Sequence, residues 1–298
     1  MNSLKNKLAI LPLILLMGVI FSSCEDVVEV DLKEGEAQLV VDAVLTNDSG
    51  TQVIYLRKSA GYLNNNAPVG ATGATVKVTD LANREFEFKD LDGSGKYQWI
   101  PTGTEPFPFG VPGNVYTLEI KYEGEEYSSV AFMDSVLTID SLWTEFREQS
   151  IQGPDTNEAG YVLNMKALDI PGEGNCYWFR TYRNGKRYLD PGQITLAYDA
   201  AYGPGSDGVE IIPPIVSSLS PERFQVGDTL VVECLSIGLP AYYFINLAQR
   251  QLLNFGIFAE PAANVPSNIE NKNKNSSKKA LGWFIAASVE RKGVRVKP

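Results

Sequence analysis

Hydrophobic and polar positions alternate along most of the chain beyond residue 36. In "ATVKVTDLANREFEFKD", Val76 and Val78 alternate with Lys77 and Thr79, and after a polar turn around Asn83, Phe86 and Phe88 alternate with charges. A period of two with one apolar face predicts strands of a sheet that is wet on one side. "AQLVVDAVLT" and "TQVIYLRKS" are β-branched runs separated by Asn47-Asp48-Ser49-Gly50, the residue chemistry of a hairpin turn. "GKYQWIP", a Pro-rich loop from Pro101 to Pro112, and "NVYTLEIKYEGEEYSSVAFM", turning at Glu123-Gly124, follow. Strands this closely spaced predict a β-sandwich of about 100 residues, placed at 36–133.

A second β-rich domain is expected over 136–298. "TIDSLWTEFREQS" suits a strand or a short helix, "AGYVLNMKALDI" a strand, and "CYWFRTYRNGKRYL" an aromatic strand ending at Asn184-Gly185. Tyr198 to Pro214, rich in Gly, Pro and Asp, reads as a long surface loop, and "GDTLVVECLSI" as a strand. "LPAYYFINLAQRQLLN" predicts a helix near 240–254, with Pro240 in its first turn and Tyr243, Leu247 and Leu253 close to one face. The closing "KKALGWFIAASVERKGVRV" reads as a strand pair, and Lys272 to Lys279 as a solvated loop. The fold class is mainly β, a sandwich followed by a β-rich domain with one helix.

The start of the chain is patterned differently. Lys5 and Lys7 precede an uncharged run from Leu8 to Phe21, and Ser22 and Ser23 stand directly before Cys24. This is the order of an export signal, and the run is too short for a span of roughly 20 residues. The acids Glu25, Asp26, Glu29 and Asp31 stop its extension. An ordinary secretory signal, with Cys24 a bystander, fits the same pattern. The segment also resembles a bacterial lipoprotein signal, which implies that 1–23 are removed and that Cys24 is the lipid attachment residue. Phe21 stands where that pattern usually has leucine. Residues 24–35 then form an acidic tether. Glu25 to Glu34, extended, reach up to about 35 Å.

Removing 1–23 leaves 275 residues and shifts the formal charge from −10 to −12. An acidic chain disfavours nucleic acid and adhesion to anionic lipid through side chains. Histidine is absent from all 298 residues. The commonest general base, triad orienter and transition-metal ligand are therefore missing, and no catalytic residue, metal or cofactor is assigned. A glycosidase working through two carboxylates is the enzyme class left open. Cys176 and Cys234 remain as either a disulfide permitted by an exported compartment or two buried thiols.

Three local features invite a functional reading. Asp90 to Gly95, "DLDGSG", has the look of a calcium loop, but Pro101 occupies the twelfth position where an EF-hand needs glutamate, so a hairpin turn is favoured. "YGPGSDG", Tyr202 to Gly208, lacks the Lys-Ser/Thr and following helix of a phosphate loop. "EPFPFGVPG" holds Phe107 and Phe109 between prolines, either as interface anchors that lose little entropy on docking or as rings folded over the sandwich end. Tyr177, Trp178, Phe179 and Tyr182 raise a sugar platform, although consecutive strand residues point to opposite faces.

Taken in order, the cysteine with its acidic leader, "LVVDAVLTN", "GNVYTLEIKYEGEEYSSVAFM" ahead of "IDSL", and "FAEPAANVPSNIEN…ALGWFIAASV" resemble the Bacteroidetes lipoprotein family known as domain of unknown function 4249. The longer "NKNKNSSKK" departs from that family's compact Asn-Gly turn before the last strand. The resemblance implies a surface lipoprotein encoded beside a TonB-dependent outer-membrane receptor. It also implies an immunoglobulin/transthyretin-like first half, similar to carboxypeptidase regulatory domains. The expected function is that of a non-catalytic accessory or ligand-capturing partner of such a receptor, held to the membrane by its acyl anchor. The alternative is a free-standing adhesin or glycan-binding lipoprotein.

Overall fold

The computed structural model describes residues 36–61, 66–103, 108–149, 158–199, 207–208, 219–220, 222–254 and 265–298. The expected signal and tether, with Cys24, and also Phe107 and most of the expected 198–214 loop, lie outside the described residues. The alternating runs become strands: β1 Leu39–Thr46, β2 Gln52–Lys58, β3 Thr75–Asp80, β4 Glu85–Asp90, β5 Lys96–Trp99, β6 Val115–Tyr122 and β7 Glu125–Phe132. Then come β8 Ile139–Arg147, β9 Gly160–Ala167, β10 Cys176–Arg183, β11 Lys186–Arg187, β12 Thr195–Tyr198 and β13 Thr229–Ile237. Helix α1 is Leu239–Leu252, followed by β14 Glu270–Asn271, β15 Ala280–Ala287 and β16 Val289–Arg295. Among the described residues the protein is mainly β with one α-helix, as the pattern predicts.

The first seven strands fold as a sandwich because one hydrogen-bonded path turns over on itself. Its order is β14-β7-β6-β3-β4-β5-β2-β1-β15. β4 is the corner: Glu85 to Phe88 pair with β3, while Lys89 and Asp90 pair with β5. Every second residue points inward, so Val41, Leu45, Ile54, Val76, Val78, Phe88, Leu118 and Ile120 share one core. Two buried tyrosines fasten loops to it. The Tyr97 hydroxyl donates to the Ala71 carbonyl and accepts from Ala74 N–H, and the Tyr116 hydroxyl does the same between Phe109 and Val111. Such paired bonds leave neither of these phenols unsatisfied.

The chain crosses back over the expected boundary near residue 134. β15 pairs in parallel with β1, Leu39 opposite Ala280 through Thr46 opposite Ala287, and β14 pairs with β7. The sandwich built from 36–133 thus takes two strands from the C-terminal segment. Residues 36–298 accordingly cluster as one unit.

The second sheet runs β11-β10-β13-β16, with β12 also on β10, and β8 and β9 form a separate ribbon. Odd residues of β10, Tyr177 and Phe179, pack with Leu163, Phe224, Val232 and Cys234. Cys176 faces the other way with Leu235, Ile237, Ala241 and Ile245. The closing strand pair is corrected: β15 and β16 do not pair with each other but form one run that leaves the sandwich and joins β13. The switch is at Ser288, which is fully buried; its hydroxyl donates to the Asp134 carbonyl and its carbonyl accepts from Ser236 N–H.

The helix forms where expected, with Pro240 in its first turn, but it buries a different stripe. Ala241 and Ile245 face the core, while Tyr243, Leu247 and Leu253 are exposed. Spacing alone did not separate the two faces, because both carry apolar residues. The segment 138–150, open between strand and helix, gives strand β8.

Gly282 is the tightest point of the β1–β15 pairing. Its φ is +92°, and a Cβ there would meet the Val41 carbonyl oxygen at 1.9 Å. Gly73, with φ +78°, has open space around it. Gly282→Ala is therefore expected to cost more than about 3 kcal/mol, roughly 6–12 °C in Tm, against about 1 kcal/mol for Gly73→Ala. Equal melting temperatures for the two variants would show that this pairing does not limit stability.

Candidate functional site

The residues singled out by sequence separate widely. Phe109 is a correction: it is buried in the sandwich, with ring centroids 4.6 Å from Phe86, 5.3 Å from Trp99 and 5.7 Å from Tyr116. The Tyr116 hydroxyl donates to the Phe109 carbonyl and accepts from Val111 N–H, so Phe109 is a core plug and not an exposed anchor. Cys176 and Cys234 are both free and buried. They cannot pair without rearrangement because they occupy opposite faces of one sheet, Cys234 lying across from Phe179 and Cys176 across from Ile237. Burial pushes the Cys176 thiol up to about 12 and the Cys234 thiol well above its usual range, so neither is a ready nucleophile.

The loop with a calcium-like sequence is closed by its own backbone. Asp90 accepts from Ser94 and Gly95 N–H, and Asp92 from the Ser94 N–H and hydroxyl. These carboxylates complete a hairpin turn. A different acidic group comes together in space: oxygens of Asp169, Asp199 and Asp207 lie within 4.8 Å of one another. Asp169 accepts from the Tyr177 hydroxyl at 2.6 Å and from Gly208 N–H, Asp199 from Gly174 N–H, and Asp207 from Gly172 N–H. Burial above all, with the nearby Asp199 charge, raises the Asp169 carboxyl despite these donors. Oxygen-only, three-carboxylate geometry is of the type that suits a hard cation. The spacing 169, 199, 207 forms no local motif, so sequence carried no signal for it.

The even face of β10 carries the molecule's main charged ladder. Arg180 stands opposite Glu233 on β13, and Glu233 opposite Arg291 on β16. Glu233 is buried and accepts from Arg180 at 3.2 Å, Tyr182 at 3.2 Å and Arg291 at 2.8 Å. Arg291 then reaches Asp48 in the β1–β2 turn with two bonds of 2.5 Å. Asn47 in the same turn accepts from Val289 N–H. Two arginines around one buried glutamate satisfy its oxygens, which is what keeps a buried charge tolerable. Burial, followed by the neighbouring Arg187 charge, lowers Arg180 to about 10 against the pull of Glu233. Arg180 and Arg187 lie over the Trp178 ring at 3.9 and 5.2 Å from its centroid. Trp178 is therefore taken up by guanidinium groups, and Tyr177 and Phe179 are core; the run of aromatics does not form a flat platform.

An apolar groove of ≈ 430 Å³ is lined by Val130 and Phe132 of β7 and by Trp283, Phe284 and Ala286 of β15. Asn268 bridges it in part, its amide donating to the Phe284 carbonyl and its oxygen accepting from Phe284 N–H. No described helix is long and apolar enough to cross a membrane.

A family model described as domain of unknown function (DUF4249) matches residues 25–293. No curated protein matches the chain. Among solved structures, the N-terminal four Ig domains of Dscam1 isoform 7.44 align at 11 % identity over 89 % of this chain and 60 % of that one, with a TM-score of 0.16. The chain thus spans about 60 % of that structure's length, and a superposition this loose bears on neither fold nor function.

The Asp48–Arg291 bond sets a pH test. The Arg291 hydrogen bond, opposed by burial, holds the Asp48 carboxyl below its ordinary 3.8. A carboxylate lowered by folding contributes stability above its unfolded pKa, and that contribution is lost as pH falls through the folded value. Asp48→Asn is expected to cost about 1 kcal/mol near neutrality, the pair being partly exposed and screened. Urea denaturation at about pH 7 and about pH 3 checks it: the gap to the native chain narrows in acid. A gap unchanged by pH means the bond contributes nothing through charge.

Proposed function

We propose, from the premise that the chain belongs to the family described as domain of unknown function 4249, that it is an outer-membrane lipoprotein acting at the cell surface by binding. Cys24 carries the lipid, residues 24–35 form the tether, and the folded body serves a TonB-dependent receptor as accessory or ligand-capturing partner. The observation that carries this reading is the stretch "FSSCEDVVEVDL", in which one cysteine separates an apolar export run from an acidic leader. Each buried acyl methylene contributes about 0.8 kcal/mol, so several chains on one residue hold a soluble body at a bilayer.

A non-catalytic role is supported by the absence of histidine and by the two thiols, both buried and raised in pKa.

Two measurements test the reading. Cys24→Ser is expected to abolish palmitate labelling and to move the protein from the membrane to the soluble fraction, leaving its melting temperature unchanged. Retention at the membrane without labelling would remove the anchor. Detergent pull-down of the native protein is expected to recover an outer-membrane β-barrel. A glycan-binding protein that brings down no barrel would instead favour the free-standing adhesin.

A further inference from the structure

Beyond the ladder, the β10–β11 hairpin opens onto a depression of ≈ 540 Å³, lined by Arg183, Lys186, Arg187, Tyr188, Leu189, Asp190, Gln193 and Glu222. Its size falls within the roughly 300–1,000 Å³ of small-molecule sites. The charges along it are not equally engaged. Arg183 is held by Glu222 at 2.6 Å and Asp228 at 2.8 Å, and Glu222 also accepts from the Tyr188 hydroxyl. Arg187, by contrast, has its ring contact with Trp178 and, among the described residues, no carboxylate partner; Lys186 has none either. Arg187 Nε is buried without a hydrogen-bond partner. So is Gln193 Oε1, supplied from the 3-10 turn Pro191–Gln193.

An unsatisfied guanidinium donor and an unsatisfied amide acceptor on residues that line one depression are unusual, because buried polar groups normally find partners. They also differ in what they ask of a ligand. Arg187 and Lys186 call for an anion, and the planar guanidinium fork matches a carboxylate. Gln193 Oε1 and the Asp190 carboxylate call for donors such as hydroxyls. Leu189, exposed at the rim, and Tyr188 offer apolar surface to a carbon skeleton. A simple inorganic anion meets the first demand alone, and a neutral sugar only the second and third.

We propose that this depression binds a polyhydroxylated carboxylate of monosaccharide size, an acidic sugar, with its carboxylate on Arg187 and Lys186 and a hydroxyl on Gln193. The proposal rests on these residues and goes beyond receptor partnership, since it holds or fails for the protein alone.

Calorimetric titration of the full chain in detergent with D-glucuronate, D-glucose and acetate tests it. Glucuronate is expected to bind, with glucose and acetate each at least tenfold weaker. Arg187→Gln is expected to weaken glucuronate binding by tenfold or more while the chain keeps its native circular dichroism spectrum. Should that variant lose its fold, Lys186→Gln at the exposed end of the hairpin takes its place, with an expected loss of threefold or more. No binding of glucuronate at millimolar concentration, acetate binding as tightly as glucuronate, or folded variants that bind like the native chain would each overturn the proposal.

Discussion

The run from Ala280 to Arg295 holds the molecule together by belonging to two sheets in turn. Its first half pairs with β1 in parallel, its second with β13 antiparallel, and the buried Ser288 makes the passage. Each half forms the edge of its sheet: β15 ends the path beside β1, and β16 lies beside β13, where it supplies Arg291 to the buried Glu233. Because β1 and β15 are some 240 residues apart in sequence, the sandwich cannot be completed until nearly the whole chain is present. Such non-local pairing is slow to form, since loop-closure entropy must be overcome before the contacts are made.

The ladder Arg180–Glu233–Arg291–Asp48 follows the same geometry. It runs across three strands of the second sheet and ends on a turn of the sandwich, so a salt link and a strand crossing tie the same two parts. The buried glutamate is tolerable because both flanking strands present arginine at the facing position. The ladder itself is balanced, two arginines against two carboxylates, and Arg187 over the Trp178 ring adds a positive charge beside it. That local excess stands out in a chain whose formal charge is −10.

Much of the strand pattern was legible because half-buried strands write their geometry as alternation. Val76, Val78, Phe86 and Phe88 all point inward as their spacing requires. What was not legible depended on partners remote in sequence. Alternation in "KKALGWFIAASVERKGVRV" marks two strands but cannot say that they join different sheets. Helix α1 carries apolar residues on two faces, and only the packing of Ala241 and Ile245 decides between them. Phe109 lies between prolines in a loop, yet the hydroxyl of Tyr116 draws it into the core. The grouping of Asp169, Asp199 and Asp207 arises from segments that meet only after folding, while the unsatisfied Arg187 and Gln193 sit on a short strand and the turn after it, where spacing carries no sign of what each side chain lacks.

The parallel sense of the β1–β15 pairing has a mechanical meaning. The residues preceding Glu36 lead into β1, and β15 continues at its far end into β16, which pairs with β13 at the edge of the second sheet. A pull on the N-terminal side, resisted at the second sheet, slides β1 lengthwise along β15. The backbone bonds from Leu39 to Thr46 then bear the load together instead of parting one after another. A chain dragged by its leading end through flow or crowding would meet that force in its stiffest direction.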